Sequence, residues 1–123
     1  MNQLMKQILL VENSKTARVS LETKLTNTGY TVLSVGSGRE AVDLAQSKVF
    51  DLIIMDLFLP DLNGYEAAKL IKSTNLANKP IVAYSSSDNP FDRAKCRAAG
   101  IELYILKSVD HKELMEQISL LLN

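Results

Sequence analysis

The chain has one cysteine, no excess of either charge and no long apolar run. A single thiol, Cys96, cannot close an intramolecular disulfide, which suits a reducing, cytoplasmic compartment. Lys and Arg number 14, as do Asp and Glu, so the formal charge is zero. No global basic field therefore draws the chain to nucleic acid or to an anionic membrane. No stretch reaches the roughly 18 consecutive apolar residues of a spanning helix, and MNQLMKQILLVE lacks the long apolar core and cleavage site of a signal peptide. Low-complexity tracts and linkers are also missing. What is there is a chain of 123 residues, 46% of them hydrophobic, which suits a single domain over 1–123 with a buried core.

The apolar residues follow a rhythm of short run, turn and amphipathic segment. The runs are Gln7–Val11, Thr31–Val35, Asp51–Met55, Ile81–Tyr84 and Leu103–Leu106. Most are rich in Ile, Val and Leu without alternation, as in strands buried on both faces of a parallel sheet. The second, with Ser34 inside it, reads as an edge. Helical spacing follows each run. Ser14 to Thr28 carries Ala17, Leu21 and Leu25 four residues apart and stops at Gly29. Ser37 and Glu40, then Asn63 and Glu66, have capping-box spacing. Asn89-Pro90 is a cap followed by proline at the first helical position, closed by Gly100. Asp110 opens a last helix holding Leu114, Ile118 and Leu121. Five βα units in succession predict a doubly wound α/β domain.

In such a sheet ligands bind beyond the carboxyl ends of the strands. The residues there are Glu12 and Asn13 after the first run, Asp56 after the third, Ser85 after the fourth and Lys107 after the fifth. Asp56 is a candidate acyl-phosphate nucleophile. Glu12 and Asn13 offer hard oxygens to Mg²⁺, which would offset the repulsion between phosphate and carboxylate. Lys107 can pair with a phosphoryl oxygen or, at rest, with Asp56, and Ser85 can donate to a phosphoryl oxygen. Each has a plainer role too. Asn13 is a good N-cap, Glu12 a solvated strand end and Lys107 a structural counter-ion to Asp56, whose acid is costly at a buried strand end unless paired. The joint arrangement is the specific feature.

Over essentially its whole length the sequence resembles the response regulator receiver domain, the phosphoacceptor module of two-component signalling. ILLVENSKTAR looks like the first strand and acidic turn, and DLIIMDLFLPDLNGYE like the phosphoacceptor strand and loop, with Asp56, Pro60 and Gly64 in place. PIVAYSS puts Ser85 at the switch hydroxyl; LYILKS puts Tyr104 at the switch aromatic and Lys107 at the family lysine. The resemblance implies five strands in order 2-1-3-4-5 with five flanking helices, the flavodoxin-like receiver fold. It implies that Asp56 takes phosphate from a histidine kinase or phosphotransfer protein with Mg²⁺ held by Glu12, Asn13, Asp56 and the Phe58 backbone carbonyl. Ser85 and Tyr104 then move, and the surface of the fourth helix, fifth strand and fifth helix changes affinity for a downstream protein. On this basis the chain is a chemotaxis-type, stand-alone regulator rather than a conventional enzyme.

Three residues depart from the family. Asn13 stands where the metal-ligating acid is expected, so Mg²⁺ binding should weaken. Ser108 replaces the usual proline after Lys107, so a trans Lys107–Ser108 bond and a shifted loop are expected, a non-proline cis bond costing ~2.5–4 kcal/mol. Phe58 has no polar group to position an attacking water, so a phosphoryl group on Asp56 should be long-lived. The first two departures also suit a pseudo-receiver, the same fold binding proteins without phosphorylation. A flavin carrier is disfavoured because VENSKTA is not a glycine- and hydroxyl-rich phosphate loop. A haloacid-dehalogenase-like phosphatase is disfavoured because Phe58 replaces its second Asp. His111 is expected to be exposed, Cys96 to pack, the Ala and Leu stripes to be core, and Arg93, Lys95 and Arg97 to form a solvated face.

Overall fold

The computed structural model describes residues 5–122. Five strands, β1 (Gln7–Val11), β2 (Thr31–Val35), β3 (Leu52–Met55), β4 (Ile81–Ser85) and β5 (Leu103–Leu106), alternate with five helices, α1 (Lys15–Asn27), α2 (Gly38–Ser47), α3 (Gly64–Lys72), α4 (Pro90–Ala98) and α5 (His111–Leu122). All strand pairs are parallel and the order is β2-β1-β3-β4-β5. Parallel neighbours need a crossover, which α1 to α4 supply. β2 is an edge as expected, and it leaves Leu33 exposed.

Side chains along each central strand point alternately to two separate cores. Leu9, Val11, Ile53, Met55, Ile81 and Ala83 pack with Ala41, Val42 and Ala45 of α2, Ala67, Ala68 and Ile71 of α3, and Cys96 of α4. Ile8, Leu10, Leu52, Ile54, Val82 and Ile105 pack with Leu21 and Leu25 of α1 and Leu114, Ile118 and Leu122 of α5. The apolar runs fail to alternate because both faces are covered.

The helix starts carry the expected chemistry with one correction. Ser37 Oγ accepts from Glu40 N–H at 3.2 Å, Asn89 Oδ1 from Phe91 N–H at 2.8 Å and Asp110 Oδ1 from Glu113 N–H at 2.8 Å. Glu66 accepts from Asn63 N–H at 3.2 Å. Asn13, however, is not the cap of α1. Ser14 is, its hydroxyl accepting from Ala17 N–H at 3.3 Å. Ala17 is exposed rather than core, because it faces a cleft between α1 and α5. β3 begins at Leu52, one residue later than read. Asp51 instead clips the sheet's lower end, its carboxylate accepting from Gln7 N–H at 2.8 Å. β4 runs one residue further, so Ser85 is its last residue.

Candidate functional site

The residues at the carboxyl ends are placed by the sheet itself. The parallel ladder continues one bond past the strands. Glu12 N–H donates to Val35 O at 3.0 Å, Asp56 N–H to Val11 O at 2.9 Å and Lys107 N–H to Ser85 O at 2.8 Å. Their side chains therefore share one rim. Glu12, Asp56 and Ser85 are the polar residues that burial claims among the described residues.

The Lys107 ammonium lies between the two acids, 2.6 Å from Glu12 Oε1 and 3.2 Å from Asp56 Oδ2. The expected Lys107–Asp56 pair is present, and Glu12 is the nearer partner. Glu12 is thus no solvated strand end; its second oxygen accepts from Ser14 N–H at 3.0 Å. Burial is the largest influence on Asp56 and raises its pKa above the usual carboxylate value, against the opposing pull of the Phe58 N–H (3.2 Å from Oδ1) and of Lys107. Burial also works against the Lys107 charge, but the Glu12 hydrogen bond and the two carboxylates outweigh it and hold its pKa above the ordinary lysine value. The one ammonium pairs with both buried acids but offsets only one of their two charges, so the group keeps a net negative charge that a bound cation would offset.

Asn13 is exposed beside this group, and its side chain has no hydrogen-bond partner among the described residues. Its backbone does have one. Arg18 Nη1 donates to Glu12 O at 2.8 Å and Asn13 O at 3.4 Å, tying α1 to the acidic turn. Sequence reasoning missed Arg18. An Arg one turn into a helix reads as surface, and only the fold shows which carbonyls it meets.

Ser85 is fully buried, and its Oγ accepts from Ser87 N–H at 3.1 Å. Ser87 in turn takes the Tyr104 hydroxyl on its carbonyl at 2.7 Å and donates its own hydroxyl to Asp92 at 2.7 Å. Ser85, Tyr104 and α4 are therefore linked through Ser87, which the sequence shows only as the third serine of a run. The basic residues of α4 are less solvated than expected. Arg93 stacks 4.4 Å from the Tyr104 ring centre, and Lys95 lies 4.7 and 5.1 Å from those of Phe91 and Tyr65. Arg97 is exposed, as is His111; Cys96 is buried.

The β3–α3 loop closes on Asp56. Gly64 N–H donates to Leu57 O at 2.8 Å, and Phe58 and Asn63 form an antiparallel bridge. A Cβ on Gly64 would collide with Asp56 O and stand 2.8 Å from Leu57 Cα, which is why glycine occupies this place. Phe58 is exposed. Lys107–Ser108 is trans, as expected, no peptide among the described residues being cis.

The donor set consists of two carboxylates, an amide oxygen and a backbone carbonyl, all hard oxygens. No three His, Cys, Asp or Glu side chains cluster as a metal cage among the described residues. Mg²⁺ does not need such a cage, since one or two carboxylates suffice when water and phosphate complete its shell. The residues fit that ion.

A family model for the response regulator receiver domain matches residues 8–119. The chain belongs to the response regulator receiver family. This receiver is 34% identical to the response regulator ArlR of Staphylococcus aureus over 96% of its own length and 53% of that relative, so it spans about half the curated relatives it matches. It is 32% identical to the receiver domain of sensor histidine kinase PA1611 from Pseudomonas aeruginosa, solved with a magnesium ion coordinated in the active site cleft. That match has a TM-score of 0.89 and covers 97% of this chain and 98% of that one. The response regulator TrrA from Thermotoga maritima, in complex with Mg²⁺ and beryllofluoride, is 28% identical with a TM-score of 0.87, covering 96% and 100% of the two chains. The family is a phosphoacceptor signalling module partnered by histidine kinases, not a conventional enzyme. No helix of the described receiver is long and apolar enough to cross a membrane.

Proposed function

We propose that Asp56 accepts a phosphoryl group from the phosphohistidine of a sensor histidine kinase or phosphotransfer protein. The observation that carries this reading is the setting of Asp56. It closes a buried strand, Lys107 stands 3.2 Å from one oxygen and the Phe58 N–H 3.2 Å from the other. In the transfer, a carboxylate oxygen bonds to phosphorus as the phosphorus–nitrogen bond breaks, and the electron pair returns to the imidazole. Lys107 then faces a phosphoryl oxygen in place of the carboxylate. Ser85 can swing its hydroxyl toward the group, surrendering the Ser87 N–H it now accepts. Mg²⁺ when bound would offset the charge of carboxylate and phosphate. Glu12, Asn13, Asp56 and the Phe58 carbonyl would hold it, with less affinity than if residue 13 were an acid.

The consequence is read on the face of α4, β5 and α5, where a downstream protein would dock. Ser87 supports this route, being bonded to the switch hydroxyl, to Tyr104 and to α4. A new charge of roughly −1.5 to −2 at Asp56 biases that network. We take residues 1–123 as one receiver domain, in which the exposed, apolar Phe58 leaves a phosphoryl group long-lived.

A second reading is a pseudo-receiver, a phosphorylation-independent protein-binding module. Asn13 favours it, as does Lys107 lying nearer Glu12 than Asp56, since the ammonium is then engaged chiefly by the acid that is not the acceptor. Beryllofluoride or acetyl phosphate with Mg²⁺, followed by NMR and phosphate-affinity gel, separates the two. The phosphoacceptor reading expects a response in wild type that Asp56→Ala abolishes. No response in wild type leaves the binding module.

A further inference from the structure

Asp61 sits at the tip of the loop that carries Phe58, and its side chain reaches across to α2. Its carboxylate accepts two backbone N–H groups of α2's first turn, Gly38 to Oδ1 at 2.9 Å and Arg39 to Oδ2 at 2.8 Å. Those are donors that no residue of α2 can satisfy. Ser37 deals with a different one, the N–H of Glu40. A second contact runs beside the first. Leu59 and Leu62 of the same loop press on the helix start so closely that a Cβ on Gly38 would lie 3.1 Å from Leu62 Cβ and 3.4 Å from a Leu59 methyl.

The loop is thus held at both ends. Its base is closed by the Gly64–Leu57 hydrogen bond and the Phe58–Asn63 bridge. Its tip is held on α2 by Asp61. Phe58 is one side of that base bridge, and the segment that follows its carbonyl runs directly to the tip that Asp61 fastens. From this geometry we infer that Asp61 is a positioning residue for the magnesium site, fixing the Phe58 carbonyl by fastening the loop to α2. The inference rests on the phosphoacceptor reading of the site. It makes the start of α2 part of the site's support, so that metal binding at one end is felt at the other.

Magnesium titration of ¹⁵N-labelled protein, followed at the Asp56 and Phe58 amides, tests this directly. Asp61→Ala should weaken Mg²⁺ binding about fivefold or more, and Asp61→Asn, which keeps one acceptor oxygen, should recover part of the loss. In wild type the Gly38 and Arg39 amides should shift along with Phe58. Ser37→Ala loosens the same helix end without touching the loop, and should leave Mg²⁺ affinity within twofold of wild type. The inference is overturned if Asp61→Ala also stays within twofold, or if Ser37→Ala loses as much as Asp61→Ala does. Should Asp61→Ala not fold, Asp61→Asn against Ser37→Ala makes the same comparison. If wild type still forms the beryllofluoride adduct, those outcomes sink the role of Asp61 alone. If wild type shows neither Mg²⁺ shifts nor adduct, the phosphoacceptor reading falls and takes this inference with it.

Discussion

Asn13 is the residue whose replacement should change the chemistry most. Its side chain is exposed and unengaged, and capping of α1 is the work of Ser14. Asn13→Asp therefore adds a charge without removing a structural bond. Two unit charges about 4 Å apart at an effective dielectric near 20 interact by about 4 kcal/mol, and a divalent ion doubles that before desolvation. Mg²⁺ affinity should rise at least about tenfold in Asn13→Asp, measured by amide shifts or calorimetry; an unchanged affinity would mean that residue 13 does not face the ion. Cys96 makes a different prediction. Burial, with help from Asp92, pushes its thiol up to about 11 from an ordinary 9.0. Since the thiolate is the reactive form, the native protein at pH 8 should react with a disulfide reagent at least about a hundredfold more slowly than the urea-unfolded chain. The native rate should climb with pH well beyond 9.

Among the elements, the β3–α3 loop is the least tolerant. Gly64→Ala would place its methyl against Asp56 O and Leu57 Cα, backbone atoms that cannot give way as a side chain does. The substitution should cost about 1–3 kcal/mol in urea denaturation and weaken beryllofluoride binding together, because the displaced backbone is that of Asp56. Helix starts were legible in the sequence wherever the cap and its donor are neighbours, as at Ser37, Asn89 and Asp110. Asn13 read as the cap of α1 because Asn is a good cap former, but its neighbour Ser14 takes that place, its N–H donating to Glu12. Asp51 and Asp61 were missed for one reason. Their partners, Gln7 and the start of α2, are distant in sequence, so no local spacing marks them.

For the whole molecule, the sheet separates two cores, yet every central strand contributes to both. They should therefore unfold together. Ile118→Ala in α5 touches only one core, and it should cost about 2–5 kcal/mol while leaving the urea slope unchanged. Far-UV circular dichroism and tyrosine fluorescence should still report coincident transitions; two separated transitions would show that the faces are independent. The strand and helix succession was readable in the chain because each run carries its own burial pattern and each helix its own punctuation. Five βα units with right-handed crossovers then put Glu12, Asp56, Ser85 and Lys107 on one rim, so the candidate site too was legible in residue type. Pairing was not. That Lys107 lies nearer Glu12 than Asp56, that Ser87 joins Ser85 to Tyr104, and that Asp61 reaches α2 depend on distances between segments far apart in sequence. Periodicity and capping are local properties of a chain, written in a few consecutive residues. Which buried charges and hydrogen bonds meet is decided only when the sheet brings its strand ends within a few ångströms of one another.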